Sequence, residues 1–322
     1  MPFQLFVPSM GDGNDYVSTP GHVAGPFGGT SWNGTGAMRV VSLLPAATEI
    51  VAALGATSRL VGVSHECDYP PAVRVLPRVT RTSVDTSQPS GAIDRAMARA
   101  KANGVVPIRI DDDALRRLVP DLILGQSVCE VCAVGEGELA RAIATLDRKP
   151  RVVTLHAHTL DGVFADIRRV GEALDLADEA EELVDGMRYR LRRLQERRAE
   201  NTTHHVPRTL VLEWLDPPYV AGHWVPELVA AAGGQDVGAA PGEPSMRRTW
   251  RELAALAPDV VIVAPCGFDV PRAQREYETV IDRDARVLFG RRVEFLDGNA
   301  YTSRPGPRLA DAAELLSQLI HR

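Results

Sequence analysis

With 322 residues the chain is longer than one hydrophobic core usually supports, so two lobes of ordinary domain size are expected. Hydrophobic residues make up 45% and charged residues 24%, and no uncharged apolar run approaches the roughly 20 residues of a membrane span, which excludes a helical integral membrane protein. A net charge of −6 argues against a phosphate-tracking surface, and the stretch Arg188–Arg198 alternates with Leu and Glu as a solvated helix does, so nucleic acid is not an expected partner.

Residues Met1–Ala37 are rich in Gly, Pro, Ser and Asn and read as an N-terminal extension. They show neither the basic start nor the apolar run of a secretory signal, which points to the cytoplasm; the periplasm or the cell surface follows only if the true start lies elsewhere. From Met38 the runs Arg39–Leu44, Leu60–Val63, Leu122–Leu124 and Val152–Leu155 read as strands, with helical patterns at Ala46–Leu54 and Leu115–Leu118. Strands alternating with helices predict a parallel sheet and a first α/β lobe over residues 38–158. Apolar residues from Val163 to Leu194 then recur at helical spacing among many charges, predicting one long linker helix over residues 159–200, with Leu176–Asp178 as the place where it would break. Strands at Thr209–Trp214, Val260–Ala264 and Val293–Leu296, a helix at Pro226–Ala232 and a last helix from Pro307 predict a second α/β lobe over residues 201–322.

Ligands of open α/β sheets collect beyond the carboxyl ends of the strands, and the polar loops of this chain lie there. Ser64-His65-Glu66-Cys67-Asp68-Tyr69-Pro70 follows one strand, Cys129-Glu130-Val131-Cys132 another and Cys266 a third. Thiolates with imidazole suit zinc, copper(I) or an iron–sulfur cluster, so His65, Cys67, Cys129, Cys132 and Cys266 are candidate metal ligands. The opposing reading is of plain reduced thiols lining a pocket, because the usual zinc pattern of two closely spaced ligand pairs is missing.

Trp214, Tyr219, His223, Trp224, Phe268 and Tyr301 place flat surfaces in the loops of the second lobe, suited to a large planar ligand; the bland alternative makes one Trp a core anchor. Arg304 and Arg308, near the start of the last helix, would meet a carboxylate, amide or phosphate. Gly135-Glu136-Gly137 does not make a dinucleotide fingerprint, and there is no P-loop or nucleophile elbow, so an enzyme is not indicated.

Three motifs carry a family resemblance: Ser42-Leu43-Leu44-Pro45-Ala46-Ala47-Thr48-Glu49, Gly62-Val63-Ser64 through Asp68-Tyr69-Pro70-Pro71, and Arg304–Arg308. From Met38 to its end the chain resembles the cobalamin and iron-siderophore substrate-binding proteins of ABC importers, in the branch that binds cobalamin. The resemblance implies two Rossmann-like α/β lobes joined by a long helix, a corrinoid in the cleft between them and an importer permease as partner. It also implies that Pro45, Ala46, Asp68, Tyr69 and the segment Trp214–Trp224 face the ligand. His65 or Cys67 is then a candidate axial ligand to corrinoid cobalt. The rival readings are a zinc or iron–sulfur metalloprotein, catalytic or not, and an iron-siderophore or haem binder, which would need a more basic cleft.

Overall fold

The computed structural model describes residues 36–127, 134–200 and 205–322. The first lobe runs β1 (Val40–Ser42), α1 (Pro45–Ala53), β2 (Leu60–Val63), β3 (Thr80–Thr82), α2 (Ser90–Ala102), β4 (Ile108–Ile110), α3 (Asp112–Leu118), β5 (Leu122–Gln126), α4 (Glu136–Ala144) and β6 (Arg151–Leu155). Its main sheet has the order β2-β1-β5-β6 and is parallel throughout, so Leu43, Ser64, Ser127 and His156 follow their strands along one edge. The pair β3 and β4 forms a separate antiparallel ribbon that the sequence did not announce, because Thr80-Arg81-Thr82 and Ile108-Arg109-Ile110 are too short to show a period.

The stretch read as one long helix is two, α5 (Leu160–Ala173) and α6 (Ala177–Glu200). The break lies at Leu174–Leu176, where Asp175 adopts a left-handed φ of 55°. Arg168 pairs with Glu181, and Arg188 reaches back to Asp161 and to the Phe164 ring, so the two helices run antiparallel as a hairpin. Gly171 permits the approach: a Cβ there would lie 2.4 Å from that of Ala180.

The second lobe runs β7 (Arg208–Leu215), β8 (Pro218–Val220), α7 (Val225–Ala231), β9 (Gln235–Asp236), β10 (Met246–Arg247), α8 (Trp250–Ala255), β11 (Val260–Val263), α9 (Val270–Thr279), α10 (Arg283–Phe289), β12 (Arg292–Phe295), α11 (Gly298–Tyr301) and α12 (Leu309–Ile320). In its sheet β11 lies between β7 and β12 with parallel pairing on both sides, and all four of its residues are buried, as an uninterrupted Val-Val-Ile-Val run requires. One hydrophobic cluster continues through both lobes, joining Val40, Ile50 and Leu124 to Val211 and Ile262 by way of α5, α6 and α12. No helix among the described residues is long and apolar enough to cross a membrane.

Candidate functional site

The loops at the carboxyl ends of the two sheets meet, and an ion network joins them. Glu49 sits on the apolar stripe of α1 with Ala46 and Ile50, and its side chain is 2% exposed. Its carboxylate accepts from Arg304 Nη1 at 2.9 Å and from Arg308 Nε and Nη2 at 2.8 and 2.6 Å. Arg304 Nη1 also donates to Asp68 Oδ1 at 2.6 Å, its Nη2 donates to Asn299 Oδ1 at 2.7 Å, and Asn299 Nδ2 donates to Asp68 Oδ2 at 3.1 Å. Glu49 and Asp68 belong to the first lobe; Asn299, Arg304 and Arg308 belong to the second. Burial opposes ionisation of Asp68, but the hydrogen bonds from Arg304 and Asn299 outweigh it and hold the carboxyl below its usual range. Arg304 is therefore a bridge between lobes whose charge is met by Glu49 and Asp68.

A second bridge lies on α2 and the segment before it. Ser90 donates through N and Oγ to Glu276 Oε2 at 3.1 and 2.7 Å, and Arg272 Nη2 donates to the carbonyls of Thr86 and Gln88 at 2.6 and 2.9 Å. The Arg272 guanidinium covers the Phe268 ring at 3.6 Å, and Phe268 packs on Trp214 with Val84 and Ile93 of the first lobe. A third contact joins His158, after β6, to His223, after β8, with Nδ1 to Nδ1 at 3.2 Å; two residues on, Leu160 N donates to Glu227 Oε2 at 2.7 Å.

Around this frame the residues picked from sequence separate into two groups. Tyr69 is 44% exposed and carries Arg308 over its ring at 4.2 Å, while Pro45, His65, Asp68, Trp214, Tyr219, His223 and Tyr301 are half-buried. Ala46, Trp224 and Phe268 are buried: Trp224 is a core anchor whose Nε1 donates to the Thr302 carbonyl at 2.9 Å, and Phe268 is taken up by the contact between lobes. Missed from sequence are Glu49, Ser90, His158, Glu227, Arg272, Glu276 and Asn299. Only Glu49 left a readable signal, an acid on an otherwise apolar helix stripe.

Among the described residues the metal candidates do not assemble. Cys67 is 1% exposed and contacts Thr48 Oγ1 at 3.1 Å; burial pushes its thiol up to about 11, although Thr48 and the Ser64 backbone pull the other way. It is a small core group, sealed from the cleft where an axial ligand would have to stand. His65 Nδ1 meets Thr80 Oγ1 at 2.7 Å, and burial, followed by the nearby Arg78, lowers the pKa of its ring. Cys266 is partly exposed, and Cys129 and Cys132 lie outside the described residues. Among the described residues no three His, Cys, Asp or Glu side chains converge to hold a metal.

The family model described as periplasmic binding protein matches residues 40–285. Curated relatives include the vitamin B12-binding protein of Vibrio cholerae serotype O1, 23% identical over 300 residues and covering 92% of this chain and 91% of the relative. An uncharacterized ABC transporter substrate-binding lipoprotein, YvrC of Bacillus subtilis, is 24% identical over 289 residues, covering 88% of this chain and 80% of the relative. The fold is similar to that of the periplasmic heme-binding protein RhuT from Roseiflexus sp. RS-1 in apo form, with a TM-score of 0.65, 24% identity and coverage of 89% and 98% of the two chains. It is also similar to the periplasmic vitamin B12-binding protein BtuF of Vibrio cholerae, with a TM-score of 0.62, 21% identity and coverage of 88% and 96%. The cytoplasmic expectation is corrected by these findings, since the matched family and relatives are periplasmic proteins and a lipoprotein; it rested on the composition of Met1–Ala37 alone. A match over that much of the chain is membership, and this chain belongs to the periplasmic binding protein family.

Proposed function

We propose that the chain is the cargo receptor of an ABC importer and that its cargo is cobalamin or a related corrinoid held between the lobes, with no chemistry of its own. The observation that carries the choice of cargo is the pairing of Arg304 and Arg308 with Glu49 and Asp68. The cations that would have met the propionates of a haem or an anionic siderophore are neutralised within the protein, which suits a large ligand of amide side chains and no net anionic charge. The exposed Tyr69 and the half-buried Trp214, Tyr219 and Tyr301 would supply apolar contact, and His65 is the candidate axial ligand. The vitamin B12-binding relative, matched over nearly the whole chain, supports the same cargo.

The test is retention of hydroxocobalamin after gel filtration, followed by its visible spectrum, with haemin run in parallel. An equimolar corrinoid complex with shifted bands that revert in His65→Ala is the expected result. Haemin retained in its place would transfer the cargo to haem, and retention of neither would overturn the reading.

A further inference from the structure

His158 and His223 come from different lobes and face each other at 3.2 Å between Nδ1 atoms, with ring centroids 5.2 Å apart. Two imidazole nitrogens bound to one tetrahedral zinc ion at about 2.0–2.1 Å lie about 3.3–3.4 Å apart, so the observed pair already has the bite of two ligands on a single ion. We propose that His158 and His223 form an inter-lobe site for a divalent d-block cation such as zinc, nickel or copper, which ties the rims of the two lobes together.

The backbone holds one half of the pair in place. His223 has a left-handed φ of 55°, which a non-glycine residue adopts only where its surroundings impose it. Here its N–H donates to Glu243 O at 2.6 Å and its carbonyl accepts from Gly242 N at 2.9 Å, while the His223 ring stacks on buried Trp224 with centroids 5.6 Å apart. Gly222 allows the chain to enter this turn, since a Cβ there would lie 2.4 Å from Glu243 O. Opposite, His158 is exposed, so an ion can enter from solvent. No third His, Cys, Asp or Glu converges among the described residues, so the remaining positions fall to water or to an incoming donor. Imidazole in a two-ligand open site favours the later first-row metals, copper and nickel as well as zinc, over magnesium or calcium. The site does not depend on which cargo the cleft takes, and it uses neither His65 nor any thiol.

The experiment is titration of the full chain, stripped with chelator, with zinc by calorimetry and with cobalt(II) by visible absorption. One saturable equivalent is expected, together with a zinc-dependent rise in melting temperature. Binding should weaken at least tenfold, and the thermal shift vanish, in His158→Ala and in His223→Asn, the latter chosen because Asn tolerates the left-handed backbone. His65→Ala and the double variant Cys129→Ser/Cys132→Ser should bind zinc as the parent does. Binding unchanged in the His158 and His223 variants, or abolished in the control variants, would overturn the site, as would the lack of any saturable binding.

Discussion

Arg304 of the second lobe donates to Glu49 of the first at 2.9 Å, and the two side chains are only 4% and 2% exposed. Breaking such a pair from one side leaves a charge buried without its partner, which costs about 3–5 kcal/mol. Arg308 still reaches Glu49, so Arg304→Met should fall at the lower end, about 3 kcal/mol, in urea unfolding. Glu49→Met should cost less in the Arg304→Met background than in the parent, where it also strips the buried Arg304 of a partner, so the double loss should be smaller than the sum of the single losses. Additive losses in the double variant would mean that the two residues act independently.

Arg272 holds the segment before α2 by two carbonyl bonds and covers Phe268. Arg272→Ala should cost about 1–3 kcal/mol and raise amide hydrogen exchange in residues 84–95, while leaving exchange in β1 and β5 unchanged. Uniformly raised exchange would show that this contact has no local effect.

Asp236 has one carboxylate oxygen, Oδ2, buried without a partner, and burial raises its pKa from 3.8 to about 6 despite the N–H groups of Gly238 and Ala239 on the other oxygen. The folded state therefore holds the proton more tightly than the unfolded chain. The favourable contribution is complete below about pH 4 and is lost as pH rises through about 6, at a cost of up to about 3 kcal/mol. Unfolding followed at about pH 4 and about pH 7.5 should show this decline in the parent and a reduced one in Asp236→Asn. Parallel profiles for the two proteins would remove Asp236 as the cause.

Trp224 and Tyr69 separate support from contact. Trp224→Phe loses the bond to the Thr302 carbonyl inside the core and should destabilise by about 1–3 kcal/mol without changing cargo affinity once folded. Tyr69→Ala, at an exposed position, should do the reverse: near-parental unfolding and at least tenfold weaker cargo retention.

What the sequence revealed follows from range. The strands Val260–Val263 and Leu60–Val63 were legible because continuous apolar runs beside turn residues need no partner to be recognised. The linker was legible as helical, but not as a hairpin, since its reversal rests on three residues and on Asp175 entering the left-handed region. Aromatic side chains such as Trp214 and Trp224 look alike in sequence; which one anchors the core depends on carbonyls such as that of Thr302, 78 positions away. Arg304 stood out in the sequence beside the last helix, but its partners Glu49 and Asp68 lie more than two hundred positions earlier, and no local pattern records them.

The apolar cluster that continues from Val40 and Ile50 through the α5–α6 hairpin to Val211 and Ile262 has a consequence for folding. Each lobe keeps a cluster of its own on the far face of its sheet, but cutting the chain after α6 would expose to water the surface that seals the shared face of both. The lobes should thus melt as one cooperative unit, giving a single calorimetric transition whose van't Hoff and measured enthalpies agree. Either half expressed alone should remain an expanded, aggregation-prone chain.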